Sequence, residues 1–338
     1  MANRSDDNLL NKWNEELSNV LLPNSVFLAI CIAVGFIGNV LVIFIYGFKL
    51  RGAKERYFIP ILALADLLAV TETSGFNISY NFNPVEYDRE LLCKWGWFFG
   101  YLTAMVSIFL LVVIAIQRYL KICRPFAKQM SLKWKRVAVL CSCVLAAVLS
   151  APIPVTYGLD PAYNERYKVT GSACRRLTQE NRLLSLSHAI VCNVLVFVFV
   201  WVLILLYTLI GQRIYKQLQQ WDRGQKLSTI NKKENQREDD SENTNQRNKP
   251  TMFRITFMFM LISFIFIVSF SPKVVIFILE CIDDRFWDSM TYSTRLLVRF
   301  FDVLFIVNNI ANPLVYAFLD VKFSQELKKI FCDFDYSL

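Results

Sequence analysis

Long apolar stretches, separated by shorter polar segments, recur along most of the chain. Seven of them reach the length of about 20 apolar residues that a helix needs to cross a lipid bilayer. Apolar residues make up 55% of the sequence, which is more than an ordinary soluble domain carries. The pattern predicts an all-α membrane protein, a seven-transmembrane helix bundle over residues 25–319. The approximate bounds of its spans are 25–48, 57–80, 97–122, 136–157, 185–215, 252–281 and 292–319.

The segments outside the spans are polar and differ in character. Residues 1–24 contain no apolar core, so we expect a polar tail and no cleavable signal peptide. Residues 217–250 are rich in Asn, Gln, Lys and Glu, a composition that cannot form a core, and we expect a disordered loop. Residues 320–338 begin with apolar positions at helical spacing, which predicts a short amphipathic helix along the membrane surface and a short tail.

The distribution of Lys and Arg predicts how the bundle is oriented. If the N-terminus is outside, 24 of the 37 Lys and Arg residues fall on the inner side and 12 on the outer side, while Lys273 lies within a span. Because inner loops carry the positive excess, we expect an extracellular N-terminus and a cytoplasmic C-terminus in the plasma membrane. The net charge of +9 then faces anionic lipid of the bilayer. Nothing in this pattern indicates nucleic-acid binding.

The residue types argue against catalysis. The chain has one histidine, His188, and scattered cysteines, which cannot form a His-rich metal site. No glycine-rich phosphate loop and no Ser/His/Asp arrangement is visible. We therefore expect no enzymatic activity and no cofactor. A transporter is an alternative, since transporters also place polar groups in their spans, but the paired halves of many transporters are not evident here.

Several spans contain polar residues that are costly in a bilayer. Asp66 lies in the middle of the second span, where a carboxylate is a functional candidate by default. Asn312 and Pro313 interrupt the last span, and the proline is expected to bend the helix because it removes a backbone donor. Arg118 follows Cys93 by 25 residues, about 37 Å of helix, so the two mark opposite ends of the third span. Alternatively, Arg118 has no functional role, and its long side chain only places the guanidinium at the interface between membrane and water.

These residues belong to an ordered set that resembles the rhodopsin-like (class A) G-protein-coupled receptors, and among them the neuropeptide receptors. The resemblance covers about residues 25–332. It implies a receptor that binds an extracellular ligand between the outer halves of its helices. It also implies that the sixth helix moves outward at its inner end and activates a heterotrimeric G protein. The matching positions are Asn39, Asp66, Cys93, Arg118, Cys174, Tyr207, Phe266, Pro272, Asn312, Pro313, Tyr316 and Phe323.

The resemblance also implies an activation switch, from which this chain departs. Gln117 replaces the acid that usually precedes Arg118, and Met252 replaces the acid at the base of the sixth span. Phe270 replaces a tryptophan. Because both charged restraints on the inactive state are missing, we predict appreciable basal signalling. The switch positions are Arg118, Tyr207, Phe266, Phe270, Pro272, Asn312, Pro313 and Tyr316.

Modifications and a bound ion follow from the same resemblance. A disulfide between Cys93 and Cys174 is expected to tie the outer loop, about residues 158–184, to the third span. Asn3, in Asn-Arg-Ser, is a candidate glycosylation site, and Cys332 is a candidate palmitoylation site. A sodium ion or, alternatively, a water-filled polar network is expected at Asp66, Ser107, Asn308 and Asn312.

The ligand class is narrowed by residues that this sequence lacks. Gly100 stands where amine receptors carry an aspartate, and span 292–319 lacks the lysine of visual pigments. A peptide, or a small acidic or lipid ligand, therefore remains. The alternation around Gly171 predicts a hairpin in the outer loop, which favours a peptide. Ligand-binding candidates are Glu72, Gly100, Lys273, Arg299 and Asp302. The charged ones alternatively neutralise one another without contacting a ligand.

Overall fold

The computed structural model describes residues 4–50, 56–177, 182–232, 243–283 and 285–335. Most of these residues are helical. A π-helical turn, Ile45–Lys49, continues the first helix. Two strands, β1 (Tyr157–Asn164) and β2 (Val169–Arg176), form an antiparallel hairpin. The helices in the described ranges are α1 (Arg4–Phe44), α2 (Ile59–Phe82), α3 (Glu90–Cys123), α4 (Leu132–Ser150), α5 (Ile153–Thr156), α6 (Arg182–Lys232), α7 (Asn243–Ile282), α8 (Tyr292–Asp302), α9 (Ile306–Leu319) and α10 (Val321–Asp335).

The helices form the predicted seven-span bundle. In the described ranges, six helical segments are long and apolar enough to cross a membrane singly, and they include α1, α2, α3, α4, α6 and α7. The seventh crossing is made by α8 and α9 together, which meet at an angle of 45°. The short C-terminal helix, α10, is also present. The predicted fold class is confirmed. The β-hairpin covers one end of the bundle, the hairpin end, and α10 lies at the opposite, α10 end.

The seventh span contains a bend that the sequence did not predict. The chain bends by 45° at residues 303–305, between α8 and α9, whereas Pro313 lies inside helix α9, which continues through it. There the N–H of Ile306 donates to the carbonyl of Val303 at 3.0 Å, three residues back, a tighter turn than that of an α-helix. Pro313 is tolerated because an amide from another helix, that of Asn39, reaches the carbonyl that the proline leaves free.

Two polar segments outside the predicted spans are largely helical. Helix α1 begins at Arg4, so it includes most of the polar tail, residues 1–24. Helix α6 continues to Lys232 and α7 begins at Asn243, so the disorder predicted for residues 217–250 is wrong at these two ends. Residues 233–242 lie outside the described residues. Lys, Gln, Arg and Glu are good helix formers, and extending an existing helix costs little, so a segment that cannot form a core can still be helical.

The first turns of α1 pack against the hairpin. Trp13 and Leu17 are buried there against apolar side chains of β1 and β2. Glu16 accepts hydrogen bonds from the hydroxyls of Tyr167 at 2.6 Å and Tyr292 at 3.1 Å. Apolar residues spaced four apart, which share one face of a helix, are the sequence signal that predicts this buried face. The hairpin is therefore held from the side of α1 as well as from the bundle below it.

Candidate ligand pocket and switch residues

A cleft of about 760 Å³, including the part open to solvent, lies between the helices toward the hairpin end. Gly100 lines it, at the position where an aspartate would indicate an amine ligand. Lys273 and Asp302 are the charged residues of its described lining. An apolar cavity with a few convergent polar groups is the usual form of a ligand site. We call it the aromatic cleft after the lining residues Phe76, Trp97, Tyr101, Phe270, Phe277 and Phe305.

The hairpin is fixed beside this cleft from two sides. Cys93, in the first turn of α3, forms a disulfide with Cys174 of β2 at an S–S distance of 2.03 Å, which confirms the predicted pair. On the other side, the N–H of Ser172 donates to the carbonyl of Val85 at 2.7 Å. Gly171 permits this approach, since a Cβ there would lie 2.2 Å from the same carbonyl oxygen. The hairpin therefore has a defined position relative to the cleft.

Three of the four charged candidates form one ion-paired group. Nζ of Lys273 lies 2.5 Å from Oδ1 of Asp302, and a guanidinium nitrogen of Arg299 lies 3.3 Å from Oδ2. Asp302 is only 2% exposed. Glu72 forms no ion pair with the other described residues, and its carboxylate accepts a hydrogen bond from the hydroxyl of Thr73 at 3.2 Å. Lys273 and Arg299 thus share the one carboxylate of Asp302, and we call these three residues the charged brace.

Aromatic rings surround both cations of the brace. Nζ of Lys273 lies 5.3 Å from the ring centroid of Trp97. Cζ of Arg299 lies 4.3 Å from the centroid of Tyr80 and 4.2 Å from that of Trp287. Such cation–π contacts stabilise a cation that has been removed from water. The rings come from elements far apart in sequence, which is why the sequence analysis did not associate them with the cations.

A second cavity, of about 500 Å³ including its open part, adjoins the aromatic cleft at Trp97, which lines both. Carboxylates of Asp160 and Asp288 lie 2.8 Å and 2.9 Å from guanidinium nitrogens of Arg175. Burial by itself would lower the pKa of Arg175, but these carboxylates raise that pKa above its usual value. We call this the arginine cavity, since its lining includes Arg175, Arg176 and Arg299.

Glu280, in the lining of the arginine cavity, was missed by the sequence analysis. Its Oε1 accepts a hydrogen bond of 2.5 Å from the indole N–H of Trp287. It follows Lys273 by seven residues, which is two helical turns, so the two side chains project from one face of α7. That spacing is the signal that could have identified it.

The candidate ion site is a buried polar network. The side-chain amide of Asn312 donates to Oδ2 of Asp66 at 2.6 Å. Oxygen ligands suit a hard cation, so the residues present fit a sodium ion, and a water molecule would satisfy the same atoms. Among the described residues, no hydrogen-bond partner is found for four buried oxygens: Oδ1 of Asp66, Oγ of Ser107, Oδ1 of Asn308 and Oδ1 of Asn312.

Arg118 lies inside the bundle and does not extend its charge to the interface. It is 1% exposed, and Cζ lies 4.7 Å from the ring centroid of Phe259 on α7. Gln117 beside it is also buried. The side chain of Met252 lies outside the described residues. Phe259 is a further candidate switch residue, which sequence analysis could not identify because a phenylalanine in an apolar span carries no distinguishing signal.

The other switch positions form aromatic contacts along the bundle axis. Phe266 stacks on Phe270 with ring centroids 5.2 Å apart, and Phe270 meets Phe305 edge-on at 5.8 Å. Tyr316 meets Phe323 edge-on at 6.3 Å. Pro272 lies within the uninterrupted helix α7 and Tyr207 is buried on α6. The structure thus places aromatic side chains from the aromatic cleft to the α10 end.

Comparison with known proteins assigns the chain to a family. The family model described as 7 transmembrane receptor (rhodopsin family) matches residues 38–316. The chain belongs to the rhodopsin family of seven-transmembrane receptors. The resemblance recognised from its motifs is thereby confirmed, and the protein is a multi-pass membrane receptor rather than an enzyme. Its fold is similar to that of squid rhodopsin, at a TM-score of 0.70 and 18% identity, over 94% of this chain and 86% of that one.

Several similar proteins are named as peptide receptors. The chain is 29% identical to the [Phe13]-bombesin receptor of Bombina orientalis over 61% of its own length. It is 22% identical to the tachykinin-like peptides receptor 86C of Drosophila melanogaster over 91% of its length. It is 26% identical to the cholecystokinin receptor of Xenopus laevis over 54% of its length. The chain covers 54%, 58% and 41% of these relatives' own lengths.

An ion pair at the α10 end of the receptor was also missed. Asp320, just before α10, accepts hydrogen bonds from Nε of Arg56 at 2.7 Å and from the hydroxyl of Tyr46 at 2.8 Å. Burial by itself raises the pKa of Asp320, but the bonds from Arg56 and Tyr46 outweigh it and the pKa is lowered. Of the predicted modification sites, Cys332 is exposed on α10, and Asn3 lies outside the described residues. Both modifications stay predictions.

Proposed function

We propose that the receptor binds an extracellular peptide at its hairpin end and activates a heterotrimeric G protein at its α10 end. The observation that carries this proposal is the hairpin fixed beside an aromatic cleft that is lined by Lys273 and Asp302 of the charged brace. An aromatic cleft accepts apolar side chains of a peptide, while charged and backbone groups at its mouth orient the chain. The relatives named for bombesin, tachykinin-like peptides and cholecystokinin support a peptide ligand.

In the proposed orientation the hairpin end is extracellular and the α10 end is cytoplasmic. The disulfide between Cys93 and Cys174 supports this orientation, because disulfides persist in oxidising compartments. The excess of Lys and Arg toward the α10 end supports it as well, through the rule that inner loops are positively charged. Since α1 begins at the hairpin end, the N-terminus is then extracellular and the C-terminus cytoplasmic.

The proposed mechanism is a two-state equilibrium of the bundle. A ligand shifts it only by binding one state more tightly than the other. The active state is the one in which α7 moves outward at the α10 end, which separates Phe259 from Arg118. Tyr207 and Tyr316 then rearrange, and the G protein inserts a helix into the opening. The cluster of Phe266, Phe270 and Phe305 connects the cleft to this movement, because Phe270 and Phe305 line the cleft.

A small acidic or lipid ligand is the alternative. The apolar lining of the aromatic cleft and the presence of Lys273 in it favour this alternative. A test exposes cells that express the receptor to peptide and lipid libraries, with sensors for each class of G protein. We expect the receptor to respond to peptides, and Trp97→Ala to weaken these responses. Phe264→Ala should leave them unchanged, because Phe264 lies on the exposed face of α7. Responses to acidic lipids alone would contradict the proposal of a peptide ligand. Ligand binding without G-protein activation would contradict the proposed receptor function as a whole.

We further propose that sodium occupies the polar network around Asp66 in the inactive state, with water as the alternative. The four buried oxygens without hydrogen-bond partners support an ion there. The test compares the unfolding temperature of purified receptor in sodium chloride and in a bulky organic chloride salt. We expect sodium to raise it in the native receptor and not in Asp66→Asn. Equal unfolding temperatures in both salts for the native receptor would favour water.

A further inference from the structure

We infer that Arg176 recognises a carboxylate of the peptide ligand, either an Asp or Glu side chain or the C-terminal carboxylate. The inference rests on the proposed peptide-receptor function and names the chemistry of one part of the ligand. It places that carboxylate in the arginine cavity, beside the aromatic cleft. The basic residues among the ligand-binding candidates predicted from the sequence are Lys273 and Arg299.

The hydrogen-bond partners of Arg176 carry the inference. Arg176 ends strand β2, two residues after the disulfide-bonded Cys174, and is half-buried. One guanidinium nitrogen donates to the backbone carbonyl of Glu280 at 2.5 Å, and another to Sγ of Cys281 at 3.3 Å. Neither acceptor is a carboxylate: one is a backbone carbonyl and the other a cysteine sulfur. Among the described residues, no carboxylate oxygen lies within the 4.0 Å of an ion pair with Arg176.

The other cations of the two cavities already have counter-ions. Arg175 has two, Asp160 and Asp288. Lys273 and Arg299 share Asp302 in the charged brace. A ligand carboxylate that approached any of these three cations would have to compete with a carboxylate of the protein. Within the described lining of the cavities, Arg176 is the cation that a ligand carboxylate can reach without such competition.

The acidic residues of the arginine cavity are directed elsewhere. Oε1 of Glu280 accepts the indole N–H of Trp287. Oδ1 of Asp283 accepts the backbone N–H of Arg285 at 2.9 Å, within its own turn. Among the described residues, neither carboxylate forms an ion pair with Arg176, although both lie in the same cavity.

A carboxylate would complete the interactions of Arg176. Hydrogen bonds between a guanidinium and a carboxylate are shorter and roughly twice as strong as those between neutral groups, and their paired geometry gives specificity. Half-burial strengthens them because water screens the charges less than at an open surface. Trp97 lines both cavities, so one ligand can place an apolar side chain in the aromatic cleft and a carboxylate at Arg176. The ligand class is thus a peptide with an acidic group near an apolar or aromatic residue.

The experiment uses a synthetic peptide library in which each position is varied in turn, prepared both as C-terminal acids and as C-terminal amides. Peptides that activate the native receptor are identified, and each acidic group is then replaced by its uncharged amide. The matched peptides are tested on the native receptor, on Arg176→Gln and on Arg166→Gln at equal surface expression. Arg166 is the control, since it lies on the same hairpin, is exposed and does not line the cavity.

We expect one acidic group whose replacement lowers potency about tenfold on the native receptor and on Arg166→Gln, and less than about twofold on Arg176→Gln. Arg176→Lys should restore part of the discrimination. If the C-terminal pair shows the effect, the group is the terminal carboxylate; if an Asp or Glu position shows it, the group is a side chain. An equal loss on all three receptors, or active peptides without any acidic preference, overturns the inference while leaving the peptide-receptor function intact. A library without any active peptide contradicts the function and this inference with it.

Discussion

The side-chain amide of Asn39 in α1 donates a hydrogen bond of 2.9 Å to the backbone carbonyl of Asn309 in α9. Pro313, four residues further on, has no N–H to offer this carbonyl. Gly38 allows the approach, since a Cβ there would lie 2.9 Å from Cβ of Pro313. The Gly-Asn pair of the first span and the proline of the last span therefore form one contact. That contact explains why α9 continues through its proline.

Replacing Asn39 with leucine is expected to destabilise the receptor. The carbonyl of Asn309 would remain buried without a donor, which costs about 1–3 kcal/mol. We expect a lower unfolding temperature for purified Asn39→Leu in lipid nanodiscs. Thr208→Val is the matched control, because the hydroxyl of Thr208 is exposed and donates to a carbonyl of its own helix, that of Ile204. Equal effects of the two substitutions would contradict the role of Asn39.

The sequence predicted those features that a local pattern or a family motif records. Seven apolar runs predicted the spans, and alternation around Gly171 predicted the hairpin. It did not predict features that arise only when distant residues meet. In the sequence, Phe259 cannot be distinguished from the other phenylalanines of its span. Only the structure shows that Arg118 lies against it. That Arg176 forms no ion pair among the described residues is likewise visible only when its neighbours are known. The break at residues 303–305 contains neither proline nor glycine, so no residue type marked it.

Removal of Asp302 is expected to be more harmful than removal of Lys273. Asp302→Asn leaves two cations, Lys273 and Arg299, without their shared counter-ion, whereas Lys273→Gln leaves Asp302 paired with Arg299. Breaking a buried ion pair costs about 3–5 kcal/mol. We expect a clearly lower unfolding temperature for Asp302→Asn than for Lys273→Gln.

The control for this comparison is Lys94→Gln, which removes a partly exposed pair with Glu90. Exposed pairs contribute about 0–1 kcal/mol, so the unfolding temperature should hardly change. If Lys273→Gln leaves stability unchanged and abolishes the response to a peptide agonist, Lys273 binds the ligand and the brace is not its main role.

The ion pair of Asp320 predicts a pH dependence of stability. The pKa of Asp320 is lowered in the folded receptor, so its contribution is fully present above the unfolded pKa of about 3.9. It is lost as the pH falls through the lower, folded pKa. Asp320→Asn should therefore lower the unfolding temperature at pH 7, and its difference from the native receptor should narrow below about pH 4.

Asparagine keeps Oδ1 as the acceptor for the backbone N–H of Lys322, which Asp320 caps at 3.0 Å. Its NH2 group cannot accept the bonds that Oδ2 now receives from Arg56 and Tyr46, so the contribution of the charge is taken from the pH dependence of the difference. Glu326→Gln, at an exposed pair with Lys329 on α10, is the control and should change little. A constant difference between Asp320→Asn and the native receptor from pH 7 to about pH 3 would show that the charge of Asp320 is not responsible.

Restoring an acid beside Arg118 is expected to lower basal signalling. Gln117 supplies no charge, whereas Gln117→Glu would place a carboxylate next to a buried guanidinium and stabilise the inactive state. A shift of about 1.4 kcal/mol changes the ratio of active to inactive receptor tenfold. Basal G-protein activation is measured without ligand at matched surface expression. Unchanged or higher activity in Gln117→Glu would mean that the inactive state is held elsewhere.

Removing the ring that lies against Arg118 is expected to act in the opposite direction. Cζ of Arg118 lies 4.7 Å from the centroid of Phe259, and a cation–π contact removed from water stabilises by about 2 kcal/mol. Because the proposed outward movement of α7 would separate the pair, we expect the contact to favour the inactive state. Phe259→Leu should therefore raise basal G-protein activation severalfold, while Phe259→Tyr, which keeps a ring, should raise it less.

Phe264→Leu is the control for this last prediction, since Phe264 lies on the same helix and is 62% exposed. It should leave basal activation unchanged at equal surface expression. In the double variant Gln117→Glu, Phe259→Leu, the added carboxylate should offset the loss of the ring, because both act on the same guanidinium. If Phe259→Leu raises basal activity and Gln117→Glu does not reduce it again, the ring acts by packing α7 against α3 rather than by binding the charge of Arg118.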